Sequence, residues 1–382
     1  MTKPQKQLLL LIRSAMGDKN LTAELQNLSV EEKKEIVSYA QAQGCIPFLQ
    51  FFDIFTKGEM KDLVFPSLVA NVYENARQQA EIESLLNVFE KNGIYCIPLK
   101  GIRTKKMYPQ EELRTMGDLD ILYRQEQTEL LRKVMSDIGY TTQGDSSKHD
   151  HYEKAGRIVE MHKDLLPAGS KGYKYFQKIW ERAAAEDGKI YCWQMALEDH
   201  YLFTLYHLIE HFIRGGIGIR MVLDIYVISH RPELDMEKVR KELEYLGIDI
   251  FEENIRNLAE CWFGATKTTP EQLQELEDYV LNGGIFGSRE NEEKNAGLMY
   301  KTKSHFLRYI IFPPYEVMRS VFPWLNTPLL LPAAWVKRWW NVWTKRRGNI
   351  QSQLSRAEAL ERRDMSEEEM RKEFFEKYGL KF

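Results

Sequence analysis

A short stretch of β-type sequence interrupts a chain that is otherwise patterned for helices. Residues 59–92 place apolar side chains at three- and four-residue steps, which predicts helix, and Gly93 supplies a stop. Residues 94–99 then read Ile-Tyr-Cys-Ile-Pro-Leu, which predicts a strand, and Lys100-Gly101 begins a short helix. A strand followed by a glycine turn and a helix requires a sheet, so an all-helical fold is excluded.

The sequence after this turn predicts more strands. The expected elements are a strand at 117–123, an amphipathic helix at 125–138, and a hairpin with arms at 151–154 and 157–162. Together they predict a small mixed α/β unit over residues 94–165.

Helical patterns flank this unit on both sides. Residues 198–213 and 221–229 have helical periodicity, and Pro66 is expected to break the long helical stretch before the unit into two. Residues 356–377 mix both charge signs densely, which predicts a solvated helix. The fold class that follows is α+β, with a small mixed β-sheet between N- and C-terminal helical regions.

The length of 382 residues allows two or three domains. We expect an N-terminal helical region (1–70), an α/β core (71–190), a helical domain that forms the other wall of a cleft (191–300), and a basic, aromatic helical extension (301–382).

Charge and cysteine content exclude several classes of protein. The net charge of −3 excludes a dedicated nucleic-acid coat, yet residues 300–350 hold nine basic residues and one acidic residue, a local charge of +8. The four cysteines are far apart and form no CxxC pair, which argues against a zinc knuckle and a disulfide framework. The apolar run at 8–12 is too short for a signal sequence or a membrane span, and we expect a cytoplasmic protein.

Asp118 and Asp120 are the strongest candidates for chemistry. Side chains two positions apart on a strand project from the same face, while Leu119 and Ile121 face the opposite way and can pack into a core. Two adjacent carboxylates repel each other, and Mg²⁺ prefers such oxygen ligands together with substrate phosphates. The alternative is a solvated edge strand with two exposed acids.

Two neighbouring segments favour a site. Lys100 and Gly101 lie at a strand-to-helix turn, where a close backbone approach and free N–H groups suit a phosphate. Glu160 lies on the second arm of the hairpin with its side chain opposite to the apolar Val159 and Met161, and His162 shares its face.

These residues resemble the polymerase-β-like nucleotidyltransferase superfamily, and within it an uncharacterised bacterial family with a Leu-Lys-Gly turn and an Asp-x-Asp strand. The resemblance covers about residues 70–230. It is carried by Leu99-Lys100-Gly101, Tyr108-Pro109, Arg114, Asp118-Leu119-Asp120, Val159-Glu160-Met161-His162, His207, His211, Ile219-Arg220 and Leu223-Asp224.

The resemblance implies a magnesium-dependent transfer of a nucleoside monophosphate from a nucleoside triphosphate to a hydroxyl acceptor, with release of pyrophosphate. Asp118, Asp120 and Glu160 would be catalytic and would bind two Mg²⁺ ions. The residues expected to bind the nucleotide are Lys100, Gly101, Arg114, His162, His207, His211 and Arg220. Ile102 follows Gly101 where many superfamily members have serine or glycine, which favours a second possibility, a non-catalytic nucleotide-binding module.

A rival motif predicts different chemistry. His207-Leu208-Ile209-Glu210-His211 matches H-x-x-E-H, in which two histidines on one helix face bind zinc and the glutamate acts as a base. This reading predicts a zinc-dependent hydrolase. The same histidines could line the nucleotide cleft or pack in a core.

The segment 335–347 is basic and aromatic. Trp335, Trp339 and Trp343 recur at four-residue steps with lysines and arginines between them. Such a helix could stack on nucleic-acid bases, lie on a membrane surface, or pack its tryptophans on the protein while its cations stay in water.

Overall fold

The fold was analysed in a computed structural model. The structure describes residues 1–18, 23–145, 149–167, 169–264, 268–285, 287–299, 303–322, 324–345 and 365–381.

The centre of the fold is a five-stranded sheet of order β1-β2-β5-β4-β3. Its strands are β1 (Cys96–Pro98), β2 (Leu119–Tyr123), β3 (Thr141–Asp145), β4 (His149–Lys154) and β5 (Arg157–His162). The pair β2/β5 is parallel and the other pairs are antiparallel, so the sheet is mixed. A second sheet has two short strands, β6 (Ala184–Ala185) and β7 (Trp193–Gln194). The predicted α+β class is confirmed.

The predicted hairpin is β4/β5, and it begins two residues earlier than expected. Ala155 and Gly156 have φ values of 51° and 74°, the left-handed pair that a two-residue hairpin turn requires. Strand β3 was not predicted, because its sequence, Thr-Thr-Gln-Gly-Asp, has no alternation of apolar residues.

Helices and the turns and loops between them form the rest of the described chain. Those before the first strand are α1 (Lys3–Arg13), α2 (Ala23–Gln26), α3 (Val30–Ala42), α4 (Asp53–Thr56) and α5 (Lys61–Asn92). Those within the α/β unit and after it, up to residue 264, are α6 (Lys100–Thr104), α7 (Thr128–Asp137), α8 (Tyr173–Phe176), α9 (Ile179–Arg182), α10 (Leu197–Arg214), α11 (Ile219–Ser229), α12 (Met236–Leu246) and α13 (Asp249–Phe263). Those that follow are α14 (Glu271–Leu281), α15 (Arg289–Met299), α16 (Lys303–Ile311), α17 (Tyr315–Val321), α18 (Leu331–Lys345) and α19 (Met365–Lys377). No helix among the described residues is long and apolar enough to cross a bilayer.

The predicted break at Pro66 is wrong, because α5 runs without interruption from Lys61 to Asn92. Pro66 lies in the second turn of the helix, where its missing N–H removes one bond, to the carbonyl of Asp62. Val64 is fully buried on the same segment and secures this end of the helix.

Two hydrophobic cores lie on opposite faces of the sheet. On strand β2, Ile121 belongs to a core formed with α5 and α7, whereas Leu122 belongs to the larger helical core. The larger core contains Phe48 and Phe55 from the N-terminal helices together with Phe212 of α10. The regions 1–70 and 191–300 therefore share one core.

The C-terminal helices divide into two groups. Helices α17 and α18 enclose a small cluster of their own around Met318 and Ala334. Helix α19 buries Phe375, and Tyr378 follows it into the main core. The predicted helix at 356–377 is confirmed for residues 365–377, but it is not solvated on all sides, because Phe375 is buried; residues 356–364 lie outside the described residues.

Candidate active site

Asp120 and Glu160 are direct neighbours across the parallel strands β2 and β5. Asp118 precedes Asp120 by two positions, so the three carboxylates belong to the same face of the sheet. Leu122 projects from this same face into the larger helical core. The three acids therefore lie on the side of the sheet that faces the larger core, and not on the side covered by α5 and α7.

Asp120 contacts the side chains of His162 and Lys100. His162 Nε2 lies 2.7 Å from Asp120 Oδ1, and Lys100 Nζ lies 3.4 Å from the same oxygen. Burial alone would raise the pKa of Asp120, but the charge of Lys100 and the hydrogen bond from His162 outweigh it and hold this pKa well below its usual range. Asp120 is therefore ionised at neutral pH.

Asp118 is in the opposite electrostatic situation. Burial, followed by the negative charges of Glu160 and Asp120, raises the pKa of Asp118 above its usual value. The carboxylates of Asp118, Asp120 and Glu160 therefore carry more negative charge than the neighbouring cations neutralise. Three carboxylates on one face with this excess suit a divalent cation that prefers oxygen ligands, although within the described residues Asp118, Asp120 and Glu160 are not a group whose ligand atoms all lie within 4.8 Å of one another.

Three histidines surround Glu160. The distances from Glu160 carboxylate oxygens are 3.7 Å to His149 Nε2, 3.8 Å to His151 Nε2 and 3.5 Å to His162 Nε2. Burial raises the pKa of Glu160, but the contact with His162 and the charge of His149 bring it below its usual value. His149 and His151 were not predicted as site residues. They lie two positions apart, so their side chains share one face of strand β4, and this spacing next to the strand of Glu160 and His162 could have indicated them.

Lys100 and Gly101 form the turn after β1. The N–H of Leu99 donates to the Asp120 carbonyl at 2.9 Å, which fixes the turn beside the acids. Lys100 has a positive φ of 35°, a strained conformation for a residue with a side chain. A Cβ on Gly101 would lie 2.5 Å from Met116 Sδ, so a larger residue there would force the side chains of Met116 and Arg114 to shift. Helix α6 has five residues, so its dipole is short.

Arg114 and Arg220 lie in a buried network. Arg114 binds both carboxylate oxygens of Asp224 at 2.7 and 2.8 Å, and the Tyr108 hydroxyl donates to the same carboxylate at 2.8 Å. Arg220 Nη1 donates to the Thr115 carbonyl at 2.6 Å. The structure therefore engages both predicted nucleotide ligands in contacts that join the loop before β2 to helix α11.

His207 and His211 stand on the face of α10 that looks towards the acids. Their rings are 4.5 Å apart, and the charge of His207 contributes to lowering the pKa of Asp120. Burial, together with the nearby charges of Lys100 and Arg220, lowers the pKa of His211 to about 4, so this ring is neutral at pH 7.

Phe203, on the same helix, packs its ring 5.7 Å from Lys100 Nζ and was not predicted. In the described part of the chain, neither His207 nor His211 belongs to a three-residue group of metal ligands.

Comparisons with known proteins place the chain in a family. A family model described as an uncharacterised nucleotidyltransferase matches residues 58–264, more than half of the chain. The solved structure of the antibiotic-resistance factor ANT(2'')-Ia is similar at 13% sequence identity and a TM-score of 0.32, over 45% of this chain and 90% of that chain. A likeness this distant carries no argument about chemistry. No curated protein matches the chain significantly.

Proposed function

The chain belongs to the family of uncharacterised nucleotidyltransferases, as its Leu-Lys-Gly turn and Asp-x-Asp strand predicted, and we propose that it moves a nucleoside monophosphate from a nucleoside triphosphate to a hydroxyl acceptor. The observation that carries the proposal is that Asp118, Asp120 and Glu160 share one face of the β2/β5 pair, with Asp120 and Glu160 as direct neighbours. The same arrangement favours this function over a binding module, because a site that only held a nucleotide would not need three mutually repelling carboxylates.

Mg²⁺ is the cofactor that suits this donor set. Asp118, Asp120 and Glu160 would hold it, with two ions expected from the resemblance. When bound, it would neutralise phosphate charge and lower the pKa of the attacking hydroxyl.

The surrounding residues have distinct roles in this proposal. The hydrogen bond from His162 orients Asp120, and Lys100 is close enough to exchange its contact with Asp120 for one with a phosphate. His207 and His211 line the opposite wall. Because His211 is neutral at pH 7, it would meet the nucleotide by hydrogen bonding or ring contact and not by charge.

Arg114, Gly101 and Arg220 would contribute by position. The Arg114 guanidinium lies against Gly101, where a Cβ would approach its Nη1 to 2.7 Å, and Arg220 binds the backbone of Thr115. These contacts fix the two segments that present Lys100 and Asp118. Ile102 is buried in the core between the sheet and α5, so the missing serine at this position is replaced by a packing residue.

The zinc-hydrolase alternative gains no support, because no third ligand joins His207 and His211 within the described residues. The experiment that tests the proposal compares wild type with Asp118→Asn and Asp120→Asn. Calorimetric titration measures binding of a non-hydrolysable triphosphate with and without Mg²⁺, and a labelled triphosphate with cell extract measures turnover.

Asp137→Asn, on an exposed position at the end of α7, is the matched control. We expect both site variants to lose the magnesium-dependent part of binding and turnover while the control retains both. Undiminished activity in the site variants would refute the role of the carboxylates, and magnesium-dependent binding without turnover would favour a binding module.

For the basic C-terminal helices we propose a separate partner, a membrane surface with anionic lipids. Leu329, Val336 and Trp340 are 88%, 61% and 64% exposed, and they share this region with the exposed cations Arg308 and Lys337. Apolar side chains beside cations complement a membrane with anionic headgroups.

Nucleic acid is the less favoured partner. The Nε1 atoms of Trp335 and Trp339 donate to the carbonyls of Pro313 and Ile311, and both indole rings pack edge-on against Phe312. These two rings are therefore held by the end of helix α16 and not presented for base stacking. Of the exposed apolar side chains, Leu329 and Val336 offer no stacking surface, whereas the indole of Trp340 does. The side chain of Trp343 lies outside the described residues.

A further inference from the structure

Four side chains form a compact block on the β4/β5 hairpin. In the antiparallel register His149 faces His162, and His151 faces Glu160. The rings of His149 and His151 are 4.7 Å apart, and those of His149 and His162 are 5.1 Å apart. Within the described ranges, His149, Glu160 and His162 bring one ligand atom each to within 4.8 Å of one another.

The separations in this block suit a bound ion better than direct hydrogen bonds. The three contacts between imidazole nitrogens and Glu160 oxygens measure 3.5 to 3.8 Å, beyond the usual length of a hydrogen bond. Ligands at about 2.0–2.1 Å from a tetrahedral ion lie roughly 3.3 Å from one another. A small closure of these side chains would therefore complete a coordination shell.

We propose that His149, Glu160 and His162 bind a transition-metal ion of the Zn²⁺ class, with His151 as a further ligand. Two or three imidazoles and one carboxylate match the ligands that Zn²⁺ and Co²⁺ prefer, whereas Mg²⁺ selects oxygen ligands. The site is thus chemically different from the oxygen site at Asp118 and Asp120, although it adjoins it.

The two sites share residues. Glu160 belongs to both, and an ion on His162 Nε2 would replace the hydrogen bond that this nitrogen makes to Asp120. Binding of the transition metal would therefore weaken binding of Mg²⁺ and nucleotide. This consequence for catalysis rests on the proposed function, whereas metal binding by the hairpin does not.

The test uses Co²⁺ as the probe, because its visible absorption bands report coordination. The full chain is titrated with Co²⁺ in the absence of nucleotide, and Zn²⁺ is then added as a competitor. We expect saturable visible bands that Zn²⁺ abolishes. His149→Gln should weaken Co²⁺ affinity at least ~100-fold, because it removes a direct ligand and even the loss of an outer-shell partner costs 10–100-fold.

The control is His230→Gln, whose imidazole lies 3.2 Å from Glu260 on the surface of the helical region. His230 and Glu260 are the same pair of residue types as in the hairpin but lie outside the four-residue block. The Co²⁺ affinity of His230→Gln should therefore equal that of wild type. His151→Gln provides a second variant if His149→Gln fails to fold, as judged by circular dichroism, and we expect a loss of affinity there too.

Absence of saturable bands in wild type, or equal affinity in wild type and both hairpin variants, would overturn the proposal. The outcome is separable from that of the proposed function. Co²⁺ binding without any transferase activity would leave the hairpin site intact, and magnesium-dependent activity without Co²⁺ binding would refute the hairpin site alone.

Discussion

Arg114 and Asp224 form a bidentate ion pair, with Nε and Nη2 at 2.7 and 2.8 Å from the two carboxylate oxygens. The pair joins the loop before β2 to helix α11, and less than a tenth of either side chain is exposed. The orientation of the loop that leads to Asp118 therefore depends on a buried charge pair and not on surface contacts.

Asp224→Asn should destabilise the protein strongly, because it leaves the Arg114 guanidinium buried without a counter-charge. A loss of about 3–5 kcal/mol in the free energy of unfolding is expected. Urea denaturation followed by circular dichroism provides the measurement. Glu129→Gln, which breaks an exposed ion pair with Arg132, is the control and should change stability by less than ~1 kcal/mol. Equal losses in both variants would contradict the structural role of the pair.

Asp118→Asn and Asp120→Asn should shift thermal stability in opposite directions at pH 7 without divalent cations. Asp118 has a raised pKa, so its ionisation opposes folding and the amide should raise Tm. Asp120 has a lowered pKa, so its ionised form stabilises the fold through Lys100 and His162, and the amide should lower Tm. Calorimetric scans over a series of pH values measure both effects.

The pH dependence of the stability tests the direction of each predicted change in Tm. The stability that protonated Asp118 contributes is present below its unfolded pKa of 3.8 and is lost as pH rises through the raised folded value. The advantage of Asp118→Asn should thus vanish in acid. The contribution of Asp120 is present above 3.8 and is lost as pH falls. Shifts of the same sign in both variants at pH 7 would show that the two carboxylates are not in different environments.

Gly101→Ala should reduce both stability and nucleotide binding, because the added Cβ would lie 2.5 Å from Met116 Sδ and 2.7 Å from Arg114 Nη1. Overpacking of this kind costs about 1–3 kcal/mol. Gly117→Ala is the matched control, since a Cβ there meets nothing within 4 Å. Urea denaturation measures the stability of the two variants, and titration with a triphosphate measures their nucleotide affinity. We expect both quantities to fall in Gly101→Ala only. A Gly101→Ala variant as stable as Gly117→Ala would refute the close approach.

The exposed apolar side chains near the C terminus should drive binding to anionic vesicles. We expect wild type to sediment with phosphatidylglycerol vesicles and not with phosphatidylcholine vesicles. A Leu329→Glu/Val336→Glu double variant should bind roughly 5- to 100-fold more weakly, because partial burial of two such side chains is worth about 1–3 kcal/mol. Ile190→Glu, which alters an apolar residue 65% exposed elsewhere, should not change binding. Binding to oligonucleotides without binding to vesicles would identify nucleic acid as the partner.

The sequence allowed prediction of those parts of the site that depend on local periodicity. The alternation around Asp118, Asp120 and Glu160 placed them on one face of two strands, and the parallel β2/β5 pairing brings them together. His149 and His151 have the same alternation, but their significance depends on which strand pairs with β4. The sequence pattern of one strand does not reveal which other strand pairs with it.

The remaining contacts could not be predicted, because they join residues far apart in the chain. Arg114 and Asp224 are 110 positions apart, and nothing beside either residue signals the other. The same holds for Phe375, whose highly charged surroundings predict a solvated helix although the ring is fully buried. The pattern of charged residues identifies the solvent-exposed face of such a helix. It does not show which residues pack against the opposite face.

The shared helical core has a consequence for the order in which the molecule can form. Phe48 and Phe55 belong to a core that also contains Phe212, which is synthesised more than 140 residues later, whereas the core between the sheet and α5 draws only on residues 82–192. During synthesis the sheet can therefore close while the N-terminal helices still wait for their partners. The face that carries the carboxylates would be built before the wall opposite it, and nascent chains that have emerged from the ribosome as far as about residue 195 should already protect the β2/β5 pair from proteases.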